Sequence, residues 1–187
     1  MINRKSGAAG ALAIVLFMGF AAVPASADTM VGGAAMYPQK NIVQNAVNSK
    51  DHTTLVAAVK AAGLVDTLQG KGPFTVFAPV NAAFEALPAG TVDSLLKPEN
   101  KATLTKVLTY HVVAGRLTAM DLENLIAKGH GAAELSTVSG GKLWVMKNGD
   151  RNLTLKDETG AVANISIYDV MQSNGVIHSV DRVLMPK

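Results

Sequence analysis

The chain has 187 residues, of which 49% are hydrophobic, 5% aromatic and 17% charged, with 17 Lys+Arg against 14 Asp+Glu and no Cys. Apolar content this high at a modest net charge excludes a disordered protein. The missing Cys excludes disulfides, a thiolate nucleophile, a Cys-ligated zinc site and a lipid-modified N-terminal Cys. In chain order, Arg4 and Lys5 precede an apolar stretch from Ala8 to Val23, and Ala25-Ser26-Ala27 has the small-x-small spacing of a cleavage site. This is the pattern of a secretory signal peptide cut between Ala27 and Asp28. The apolar stretch falls short of the about 20 residues that a membrane span needs, and no second long one follows, so no span is expected in the mature chain. Removing residues 1–27 from 187 leaves 160, and without Arg4 and Lys5 the basic count is 15 against 14 acidic. A nearly neutral, exported chain has no electrostatic footprint for nucleic acid.

Residues 28–38, with Gly32-Gly33 and Tyr37-Pro38, read as a flexible arm, and 39–187 as one domain. Asn41–Asn48 suits a short helix. Asp51 is placed to cap the next one, where Leu55, Val56, Val59 and Ala62 follow helical spacing up to Gly63. The run Pro73–Pro79 predicts a strand. Asn81–Leu87 predicts a short helix capped by Asn81 and stopped by Pro88, and Leu95-Leu96 a further helical turn before Pro98. Lys101–Thr109 places Leu104, Val107 and Leu108 on one face. From Ala133 onward, turn signals at Ser139-Gly140-Gly141, Asn148-Gly149-Asp150, Glu158-Thr159-Gly160 and Ser173-Asn174-Gly175 separate short β-rich runs. Strands are expected at 133–138, 142–147, 152–157, 161–168 and 175–185, the last one internal because it is apolar on both faces. Helices first and strands later predict an α+β fold.

Catalytic patterns are scarce. His52, His111, His130 and His178 are too far apart in sequence to form a two-histidine metal edge on a helix, and no phosphate loop or nucleophile elbow occurs, so no metal or cofactor is expected. His178-Ser179-Val180-Asp181 carries the residue types of a hydrolase. On a strand, however, His178 and Ser179 point to opposite faces and His178 faces away from Asp181. Asn152-Leu153-Thr154 and Asn164-Ile165-Ser166 match the glycosylation sequon but lie in predicted strands.

Three segments carry more pattern than an ordinary core. Thr75 to Phe84 takes a strand through Phe77 and Pro79 into a helix at Asn81, with Phe84 as its anchor. Leu108 to Gly115 contains Tyr110-His111, with His111 on the apolar side of its helix. A histidine there must be paired or pay desolvation, and Asn81 is the partner we expect. Ser173 to Pro186 leads from a turn at Asn174-Gly175 through His178 to Asp181.

In this order and at these separations, over about residues 38–187, the three segments resemble the two conserved boxes and the Tyr-His motif of the fasciclin domain. The resemblance implies a β-sandwich or wedge of antiparallel and mixed strands under a layer of short helices. It implies no catalysis, and adhesion to cell-surface or extracellular-matrix proteins or glycans. Residues carried over as partner contacts are Tyr110 and His111, with Asp121-Leu122 echoing a second recognition pair. Phe77, Pro79, Asn81, Phe84, Asn174, Gly175, His178 and Asp181 are carried over as structural positions. Val80 stands where the family often has a hydroxyl before the capping residue. One domain behind a signal peptide is similar to small secreted bacterial members, and a monomer in the periplasm or outside the cell is expected. Aliphatic content and 8 Met keep a periplasmic carrier of a small apolar ligand as the alternative.

Overall fold

A computed structural model describes residues 28–149 and 152–187. The expected signal peptide lies outside the described residues. The fold is α+β, as the sequence predicts. Short helices occupy the first two thirds of the chain, and they pack with a seven-stranded mixed sheet.

The first elements differ from expectation. Residues 28–38 were expected to be loose. Instead β1 (Thr29–Val31) and β2 (Ala34–Met36) pair as an antiparallel hairpin, with Val31 opposite Ala34. Gly32 and Gly33 hold φ of +58° and +75°, the left-handed pair that a two-residue hairpin turn requires, so this Gly-Gly is a turn and not a linker. Val31 and Met36 are buried against the main core.

Helix α1 (Ile42–Ala46) starts with an Asn41–Gln44 capping box. A 3₁₀ turn at Lys50–His52 leads into α2 (Thr53–Ala62), which ends at Gly63 with φ +73°. Asp51 lies within that turn and does not cap α2. The Asn81 carboxamide does so from another segment: its oxygen accepts the Thr54 N–H at 3.1 Å and its nitrogen donates to the Lys50 carbonyl at 2.8 Å. After α3 (Val65–Gln69) come β3 (Phe74–Pro79), α4 (Asn81–Glu85) and α5 (Thr91–Leu95). Asn81 is therefore the first residue of α4 and not its cap. Val80 holds the cap position and provides no side-chain hydrogen bond. Val80→Thr should raise stability by about 0.5–1 kcal/mol, seen as a higher Tm. An unchanged Tm would mean that the helix start needs no acceptor.

Helix α6 (Lys101–Tyr110) feeds a three-residue strand, β4 (Val112–Ala114), absent from the sequence reading, and then α7 (Ala119–Lys128). Strands β5 (Ala132–Ser136), β6 (Lys142–Asn148), β7 (Asn152–Lys156), β8 (Val162–Gln172) and β9 (Gly175–Val180) complete the sheet. β8 runs four residues past its predicted end, through two irregularities in its pairing with β9. β9 stops five residues before the predicted Met185, although the irregular tail still buries Val183 and Leu184.

The seven strands lie in the order β4-β3-β9-β8-β7-β6-β5; the β3–β9 pair is parallel and all other neighbours are antiparallel. A Val113–Thr137 bridge and a 2.7 Å bond from the Val138 N–H to the Val112 carbonyl join the two sheet edges, so the wedge closes nearly into a barrel. Alternation sorts the side chains. Phe77, Leu143, Val145, Leu153, Leu155 and Val180 fill the interior, which α7 plugs with Leu122 and Ile126. Val76, Ala78 and Ile177 point the other way and take the helical layer, through Ile42, Leu55, Leu68, Phe84 and Leu104. All six residues of β9 are buried, which makes it the internal strand that the sequence predicts.

Candidate functional site

The three patterned segments meet at one place. In the β3–β9 register Phe77 lies beside His178, and the two rings stack with centroids 5.7 Å apart. The Phe77 N–H donates to the His111 carbonyl at 2.9 Å, which brings the Tyr-His segment onto the same strand.

Each histidine there is consumed by the fold. The His111 Nδ1 lies 2.8 Å from the Val107 carbonyl, an acceptor only, so this nitrogen carries the proton. Its Nε2 accepts the Leu184 N–H at 2.9 Å. Burial pushes its pKa down to about 4. His111 is thus buried as expected, but its partners are Val107 and Leu184. Asn81 is occupied with α2. His178 follows the same logic: Nε2 donates to the Leu117 carbonyl at 2.8 Å and Nδ1 accepts the Asp169 N–H at 3.3 Å. Burial lowers its pKa as well.

The residues His178 to Asp181 do not assemble into a catalytic group. Ser179 points to the helical side, where its Oγ sits 3.3 Å from His52 Nε2, and His52 Nδ1 is 2.9 Å from Ser49 Oγ. All three are buried. Asp181 is exposed and clamps Asn164, accepting its N–H and its carboxamide at 2.7 Å each. Among the described residues no three His, Asp or Glu side chains gather in a way that could hold a metal ion.

The four expected contact residues divide sharply. Tyr110 is 0% exposed, His111 2% and Leu122 0%, so none of them reaches a macromolecular partner in this fold. The Tyr110 hydroxyl donates to the Lys142 carbonyl at 2.6 Å and accepts the Glu158 N–H at 3.0 Å, which pins α6 to the β-hairpins. Burial, the largest cause, raises its pKa to about 12, so the phenol stays protonated. Only Asp121 is exposed. It closes the Thr118 capping box, and the Thr118 hydroxyl and N–H hold its carboxyl below the usual range.

The structural positions also act internally. Asn174 accepts the Ile42 N–H at 3.0 Å and donates to the Leu68 and Gly70 carbonyls at 2.8 and 2.9 Å, tying α1 and α3 to the β8–β9 turn. Pro79 and Phe84 are buried at the β3–α4 corner. Sequence reading missed Asp157. Its buried carboxylate accepts the Thr159 and Ala161 N–H groups and, from the far end of the chain, the Met185 N–H at 2.9 Å. Nothing in its sequence neighbourhood announces that third partner.

The outward face of β5–β7 is open to solvent. Register places Glu134, Trp144 and Lys156 in one row across it. Trp144, the single tryptophan of the chain, is half-buried and lies with Met146 in a shallow concavity of about 390 Å³ edged by Lys156 and Glu158. Lys142 and Glu134 form a 2.9 Å ion pair on the same face.

Comparison with known proteins gives a consistent result. The sequence model of the fasciclin domain matches residues 50–186. The chain is 45% identical over 163 residues to Protein sll1483 of Synechocystis sp., covering 85% of this chain and 81% of that protein. It is 35% identical over 173 residues to the cell surface glycolipoprotein MPB83 of Mycobacterium bovis, covering 90% and 70%. Its fold resembles the FAS1 domain pair of the insect cell adhesion molecule Fasciclin I, with a TM-score of 0.68 at 18% identity, over 78% of this chain and 51% of that one.

Proposed function

Because this chain belongs to the fasciclin-domain family, we propose that it is an exported, non-catalytic adhesion module that holds a cell-surface or extracellular partner, protein or glycan, on its outward sheet face. The observation that carries this reading is where the polar chemistry sits. The histidines, Tyr110 and Asn174 of the patterned segments are buried and bonded inside, whereas Trp144 is offered outward among Lys156, Glu134 and Met146. A half-exposed indole beside charged and flexible side chains is the kind of anchor that dominates interface energetics. The adhesion role of Fasciclin I and the cell-surface address of MPB83 support the same reading. Among the described residues no helix is long and apolar enough to cross a membrane, and export would rest on the signal-peptide pattern at residues 1–27. Cell fractionation tests that address.

Titration with solubilised cell-surface material should shift the emission of the single tryptophan. Trp144→Ala should weaken capture by about 2 kcal/mol, roughly thirtyfold, at unchanged Tm. Capture by Trp144→Ala equal to wild type would remove this face from the function. Protease and periodate treatment of the material separate a protein from a glycan partner.

A further inference from the structure

Between the helical layer and the sheet lies a cavity of about 110 Å³ that the adhesion reading does not use. Its walls are aliphatic: Ile42 from α1, Leu55 and Val59 from α2, Leu68 from α3, and Val76 and Ile177 from the sheet. Met36 of the N-terminal hairpin closes part of it. The buried polar groups on its wall, Ser49, His52 and His111, are bonded to protein partners and do not ask for a polar ligand. An apolar cavity of about 150 Å³ in another protein accommodates benzene, so this space takes a small hydrocarbon group, the size of a ring or a short piece of an alkyl chain.

The cavity is not sealed. Exposed Lys60, Thr67 and Val138 belong to its wall, as do half-buried Val43, Val59 and Leu64. Lys60 is the one charged side chain among the wall residues, and no carboxylate joins it there. It also forms no ion pair among the described residues. An apolar chamber whose wall carries one cation and no carboxylate matches a molecule with an apolar end and an anionic head. We propose that this cavity is a binding site for the alkyl end of a small single-chain carboxylate, with its head at Lys60 and Thr67. This inference is independent of the Trp144 face, and neither depends on the other's success.

Octanoate, octanol and octylamine are the probes, with thermal melting and methyl NMR shifts of the purified protein as readouts. Octanoate should bind saturably, perturb the methyls of Val59, Leu68 and Ile177, and raise Tm by about 4 °C at tenfold excess over Kd. Octanol should bind more weakly and octylamine weakest. Val59→Phe and Val43→Phe place a ring into the cavity from half-buried positions. Either one, folded with an unchanged or higher Tm in the absence of probe, should lose at least tenfold in octanoate affinity. Lys60→Glu should cost about tenfold for octanoate and reverse the order of octanoate and octylamine. No saturable binding by any of the three probes, or undiminished binding in both filled variants, would overturn the site. An unchanged probe order in Lys60→Glu would overturn the anionic head.

Discussion

Lowering the pH from 7 to 4 should remove about 3 kcal/mol of folding stability through His111 alone. Its pKa falls from 6.5 in the unfolded chain to about 4 in the fold, chiefly because the ring is desolvated. The depressed value fixes the sign. Between the two pKa values the unfolded chain binds the proton and the native state does not. The stabilisation is therefore complete above pH 6.5, declines as the pH falls through that window, and is exhausted near pH 4. His52 and His178 are lowered in the same direction by burial and steepen the decline. Structure explains why the native state resists the proton: Nδ1 already donates to Val107, so a second proton must sit on Nε2, against the Leu184 N–H. Denaturant midpoints measured from pH 7 down to pH 5 follow this decline, and comparison with a His111 variant isolates the share of His111. His111→Ala leaves Val107 and Leu184 unpaired. It should cost about 3 kcal/mol at pH 7 and flatten the pH dependence. A variant with the wild-type slope would show that His111 is not the titrating group.

The second large effect is expected at Gly175, the first residue of β9. A Cβ there would stand 2.1 Å from the Phe74 carbonyl oxygen and 3.1 Å from Ile42 Cδ1. Phe74 is its register partner in the parallel β3–β9 pair, and the Phe74 N–H bonds the adjacent Asn174 carbonyl at 3.0 Å. The obstacle is backbone in an internal strand and cannot swing aside as a side-chain end can. Gly175→Ala should lose about 3 kcal/mol, the upper end for overpacking, in chemical denaturation. The neighbouring Ser173→Ala, at an exposed position, should stay within about 0.5 kcal/mol of wild type. A Gly175→Ala protein as stable as wild type would mean that the two strands are further apart than this fold places them.

Local chemistry made much of this fold legible in the sequence. The Gly63 stop, the Pro73–Pro79 strand and the turn signals after Ala133 each act within a few residues, and the structure follows them. The apolar run at Val176–Val180 likewise required an internal strand. What stayed hidden depends on partners distant in sequence. Asn81 looks like the cap of the helix that it begins, yet it caps α2 across 27 residues, because only the folded chain brings Thr54 to its carboxamide. Gly32-Gly33 has the composition of a linker, and only its pair of positive φ values makes it a hairpin turn.

The candidate site was the least legible part. Tyr110 and His111 carry the residue types of a recognition surface, and the spacing of His111 from Leu104 and Leu108 put it on a buried face. Spacing could not say that the Tyr110 hydroxyl would close on Lys142 and Glu158, far along the chain. Trp144 gave no motif at all. Its outward orientation follows from the pairing of β5, β6 and β7, which places Glu134 and Lys156 on either side of it.

Amide hydrogen exchange along Gly175–Val180 tests whether the patterned segments are the inner frame of the molecule. These amides should open only with global unfolding, at the full unfolding free energy, together with those of Val76 and Phe77 in the paired strand. Rapid exchange of the terminal segment while β6 and β7 remain protected would contradict it.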